Sequence, residues 1–159
     1  MGWLTQLPAA MLYSAVIRPI RVGKRLMPGR IWGPIGAASV RVGWLGGHLA
    51  KPFLTRDQSP RGRLAALLRF TELAEEPLGI RGTNEIVDER TARRTIQQCP
   101  FAERLRDVTE FCTCVGACAA RGAFTVLTPG AEFTVVRTKS QGAAQCEYEY
   151  RIPAVGVGV

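Results

Sequence analysis

Five cysteines, Cys99, Cys112, Cys114, Cys118 and Cys146, fall in the second half of a 159-residue chain whose first 98 residues contain none. Their odd number, with no export signal ahead of them, argues against a disulfide framework and for thiols in a reducing, cytoplasmic compartment. A helix over 109–121 places Cys114 and Cys118 four apart on one face, with Arg121 three further along the same side and Cys112 pointing elsewhere. Arg121 and the positive start of a helix both lower a thiol pKa, so a thiolate nucleophile is one use of these residues. A second is metal binding: Cys99 and Cys146, brought in by strands, would complete a tetrahedral zinc site with Cys114 and Cys118. No CxxC pair occurs, and the sequence requires no cofactor. The third use is plain packing of small residues between a helix and a sheet. Glu103, four residues after Cys99, suits a general acid or base if it is buried beside the thiols; otherwise it is a solvated charge next to Arg104 and Arg106. His48, the one imidazole, sits among glycines far from the cysteines and is expected to be a surface or core side chain. There is no phosphate-binding loop, dinucleotide fingerprint or HExxH.

These groups need elements to hold them. Leu64, Leu67, Leu68 and Leu73 recur at helical spacing, and Pro77 closes that helix. Two extended runs, 78–88 and 91–98, flank Asp88-Glu89-Arg90 as a hairpin. Cys99-Pro100 stops the second run, a helix begins over 101–108, and the cysteine-bearing helix ends at Gly122. Runs 132–139 and 145–152 form a second hairpin, and the latter alternates strictly: Cys146, Tyr148, Tyr150 and Ile152 face one side, Glu147, Glu149 and Arg151 the other. The fold class is therefore α+β, with N-terminal helices followed by a four-stranded antiparallel sheet of two hairpins and helices packed on one face. Residues 1–55 form a basic apolar helical segment, 56–63 a linker or exposed loop, 62–152 the cysteine-containing domain and 153–159 a flexible tail.

Composition narrows the partners. With 47% hydrophobic and 21% charged residues, the chain is neither disordered, collagenous nor a coiled-coil rod. Its net charge of +8 is unevenly spread. Residues 1–70 hold eleven bases and one acid, Asp57, a balance of +10, whereas 71–159 hold ten bases and twelve acids, a balance of −2. Neither 1–17 nor 31–50 makes a bilayer span, because polar residues, glycines and Arg41 interrupt them. The first segment has two candidate uses beyond the core: packing on a sister copy, or lying at a membrane surface with Trp3, Tyr13, Trp32 and Trp44 at headgroup depth. Zinc-finger spacing, an aromatic sheet motif and a basic heptad extension are all missing, so specific nucleic-acid binding is not expected.

One family resemblance is carried by Cys99-Pro100-Phe101-Ala102-Glu103, then Phe111-Cys112-Thr113-Cys114 leading to Gly122, Arg137-Thr138-Lys139, and Gly142 with Cys146-Glu147-Tyr148. In that order and over about 62–152, the chain resembles the L-2-amino-thiazoline-4-carboxylic acid hydrolase family. The resemblance implies hydrolytic ring opening of a small carboxylated sulfur heterocycle at its C=N carbon. Cys99 and Cys114 are then the nucleophile candidates, Glu103 the acid/base and Arg137 the cation for the substrate carboxylate. Arg121 joins Arg137 as a carboxylate partner from helix geometry alone. A second likeness is to 4-vinyl reductase-like domains, which share the helix-plus-sheet layout and clustered cysteines and imply a noncatalytic sensor or assembly module holding a small molecule or metal. Gly116-Ala117-Cys118-Ala119-Ala120 lacks the acid expected after the helix cysteines, which favours this second likeness.

Overall fold

A computed structural model describes residues 11, 15, 17–26 and 29–154. The rest of the apolar run before Ile17, with Trp3 and Tyr13, and the tail from Val155 lie outside the described residues. Helix α1 spans Arg18–Leu26, α2 Trp32–Leu54, α3 Pro60–Glu75 and α4 Ala117–Leu127. Strands β1 (Arg81–Ile86), β2 (Thr91–Gln98), β3 (Glu132–Arg137) and β4 (Cys146–Arg151) form one antiparallel sheet in the order β1-β2-β4-β3. The expected α+β class is what the structure has. The two hairpins join through β2 and β4, which puts the alternating strand β4 at the centre, where one face must be apolar.

Local chemistry accounts for the helix ends. The expected loop over 56–63 is shorter than its composition implies, because Ser59 accepts a hydrogen bond from the Gly62 amide at 3.0 Å and Pro60 stands at the first helical position. A hydroxyl cap followed by proline starts a helix, so Pro60 to Arg63 belong to α3 rather than to a linker. At its other end α3 runs into a short 3-10 turn, Glu76–Leu78, stopped by Gly79 at φ 72°. The helix expected over 101–108 is only a 3-10 turn, Glu103–Leu105, since Pro100, Phe101 and Ala102 are spent turning the chain.

The core lies between the sheet and the pair α3 and α4. Leu64, Leu67 and Leu68 meet Phe124 and Leu127 over Phe133 and Tyr150, and the three rings pack at centroid distances of 5.3 to 5.8 Å. Aromatic pairs at that separation add about 0.5–1.5 kcal/mol each beyond the area they bury. Helix α2 packs on the far side of α4 through Gly36, Gly43 and Gly47. A Cβ on Gly43 would overlap the Ala119 carbonyl, and one on Gly122 would overlap that of Val40. The two backbones touch there, which only glycine permits.

Candidate functional site

Between α2, the C-terminal end of α3, the segment leading into α4 and the sheet lies a cavity of about 610 Å³. Its wall is almost wholly apolar: Phe70 and Leu73 from α3, Ile96 from β2, Phe111 and Val115 before α4, and Phe133 from β3. Three sulfurs reach it, those of Cys99, Cys112 and Cys146, together with Tyr148 and one carboxylate, Glu75.

Each sulfur arrives by a different device. Cys146 and Tyr148 face inward because β4 alternates, the outcome the sequence pattern predicts. Cys99 directly follows β2, where Pro100 prevents the ladder from continuing. Cys112 owes its place to a π-helical turn over Phe111–Gly116, whose wider loop of backbone rotates the residues relative to a regular α-helix. A regular helix was the expectation, with Cys114 and Cys118 as the significant pair. Instead, the π turn carries Cys112, Val115 and Gly116 to the cavity, while Cys118 packs its sulfur towards Gly36 of α2 and neither Cys114 nor Cys118 lines the cavity.

Water exclusion sets the state of these groups. Burial pushes the Cys99 thiol above its ordinary pKa, against a smaller opposing pull from backbone hydrogen bonds of Phe101 and Ala102. It pushes Cys112 up to about 11, although Ser140 donates to its sulfur at 3.7 Å. The Tyr148 hydroxyl is raised far beyond its usual range, burial again leading and the nearby sulfurs adding to it. Cys146 accepts the Lys139 backbone N–H at 3.2 Å. At neutral pH Cys99 and Cys112 are therefore thiols, poor nucleophiles and poor ligands. Glu75 is also shifted up by burial, but Arg94 opposes the shift with Nε 2.8 Å from its carboxylate. Arg94, 1% exposed, is held on its other side by Asn84 at 2.6 Å, so both charges at the cavity's edge are already matched.

The remaining expected site residues lie elsewhere. Glu103 is on the surface, its side chain 75% exposed and paired with Arg106, so it stands apart from the thiols it would have to serve. Arg121 projects from the exposed side of α4. Arg137 would share the inward face with Phe133 and Val135 if β3 were regular. A register shift between Val135 and Arg137 turns it outward, where it pairs with Glu147 opposite. Cys99 and Cys146 are thus brought together, Cys114 and Cys118 are on the α2 side, and among the described residues no group of three or more His, Cys, Asp or Glu side chains is placed to hold a metal ion. His48 is exposed on α2, edge-on to Trp44.

Cys112, Glu75 and Tyr148 line the cavity although none of them was among the expected site residues. Tyr148 had a signal, since it shares the alternation of Cys146. Glu75 had none, being one of several charged residues on its helix, with Arg61, Arg63, Arg69 and Glu72. Cys112 had none, because a π turn leaves no mark in the spacing.

No known protein family, curated protein or solved structure matches the chain.

Proposed function

We propose that this chain is a noncatalytic binding module that takes an uncharged, largely apolar small molecule into the thiol-edged cavity. The observation that carries this is the cavity's chemistry: about 610 Å³ of apolar wall whose one carboxylate is already neutralised by Arg94. The volume falls within the roughly 300–1,000 Å³ of sites that enclose a drug-sized ligand. A carboxylated heterocycle of the kind the hydrolase resemblance implies would have to leave water without a cation to receive it, because Arg121 and Arg137 are on outer surfaces. Protonated thiols also disfavour attack on a C=N carbon. The 4-vinyl reductase-like reading fits this chemistry better.

Binding of 1-aminoanthracene, an uncharged fluorescent probe, tests it. Probe emission should rise with saturable stoichiometry, and an Ala120→Phe variant, which extends a ring into the cavity from the α4 residue Ala120 on its wall, should abolish the rise while melting cooperatively. At a hundredfold excess over Kd a ligand adds about 2.7 kcal/mol to folding stability, which thermal unfolding reads. Absence of binding by this probe and by other uncharged aromatics would overturn the proposal. So would hydrolysis of 2-amino-thiazoline-4-carboxylate that is lost in Cys99→Ser or Cys112→Ser.

A further inference from the structure

The face of α2 turned away from α4 is neither polar nor covered among the described residues. Val42, Leu45, Leu49 and Phe53 follow one another at intervals of three and four, so they form one ridge, and their exposures are 69%, 55%, 68% and 74%. A monomer seldom leaves four such neighbours in water without a use. His48 stands beside Leu45 with Trp44 edge-on to it, Arg41 and Lys51 are exposed on the same helix, and the chain's first acid is Asp57, beyond the helix. No described helix is long and apolar enough to cross a membrane.

We propose that this ridge is a docking face for an anionic bilayer surface, on which α2 lies in the plane of the interface. Charge decides between this occupant and a second copy of the chain. A two-fold pairing through α2 would set its two cations, Arg41 and Lys51, against their copies on a helix that carries no acid. Like charges brought face to face oppose association, whereas phosphate headgroups reward the same arrangement. The apolar ridge then enters the acyl boundary, Arg41 and the His48–Trp44 pair on the helix's flank reach headgroup depth, and Lys51, further round the helix, stays within the field of the phosphates. Helix α2 also lends Val42, Gly46 and Ala50 to the cavity wall, so docking brings the cavity's edge to the bilayer. Vesicle binding itself does not depend on whether the cavity holds a ligand.

Flotation of the full chain with vesicles of phosphatidylcholine alone, or with 30 mol% (roughly, the composition of an anionic membrane surface) phosphatidylglycerol, tests the proposal. Binding is expected on the anionic vesicles and not on the zwitterionic ones. Leu45→Ser/Leu49→Ser should lower the partition about a hundredfold by the apolar area withdrawn from lipid. Arg41→Gln/Lys51→Gln should lower it about thirtyfold, at about fivefold per cation near an anionic surface. All four residues are exposed, so circular dichroism of both variants should match the parent. Equal binding to both vesicle types, or undiminished binding of the leucine variant, would overturn the proposal. A dimer that the leucine variant dissociates, with no vesicle binding, would assign the ridge to a second copy instead. Binding that emerges only on deleting residues 1–16 would assign it to that segment.

Discussion

Arg93 and Arg94 are adjacent in β2, and the pleat sends them to opposite faces of the sheet. On the inner face Arg94 is enclosed with Glu75 and Asn84 at the edge of the cavity. On the outer face Arg93 and Arg137, 40% and 55% exposed, close over Glu147, whose own carboxylate is only 10% exposed. The chemistry is the same, a guanidinium on a carboxylate, but the solvent differs. Inside, each charge has only its fixed partner, and removing one strands the other in a low-dielectric place. Outside, both guanidiniums stay largely in water, and either one can hold Glu147 when the other is taken away. The same contrast governs Cys99 and Cys112, whose thiols burial holds protonated.

The comparison can be broken at its strongest point first. Arg94→Ala leaves Glu75 buried and unmatched and should cost about 3–5 kcal/mol in urea unfolding at pH 7, whereas the double replacement Arg94→Leu/Glu75→Leu should recover most of that loss. A single variant that loses less than about 1 kcal/mol, as a surface pair does, would mean that the two faces are not different environments.

A second test concerns Cys112. With its pKa pushed up to about 11, the thiolate fraction rises about tenfold for each pH unit until that value is approached. Alkylation by iodoacetamide, followed by peptide mass, should therefore run about a hundredfold slower than for a free cysteine at pH 8 and keep accelerating through pH 10. A rate that levels off near pH 9 would describe a wetter cavity.

The smallest effect sharpens the outer side. Arg137→Ala should change stability by less than about 1 kcal/mol, since the guanidinium is more than half exposed and Glu147 retains Arg93. A larger loss would make the outer cluster a structural network rather than a solvated one.

The amino-acid order determined what depends on neighbours a few residues apart. The strict alternation of β4 assigns Cys146, Tyr148 and Tyr150 to one face, the leucines of α3 give a helix, and two pairs of extended runs give a four-stranded sheet. The charge imbalance of the first seventy residues is likewise a property of the sequence. Tertiary structure alone decided which sulfurs meet. A π turn brings Cys112 to the cavity and leaves Cys114 and Cys118 on the other side, and one extra residue in β3 moves Arg137 from the inner face to the outer. Arg94 finds Glu75 nineteen residues earlier in the chain. Each is a consequence of backbone rotation or long-range packing, and a rotation of one residue is enough to reassign a side chain from cavity to water.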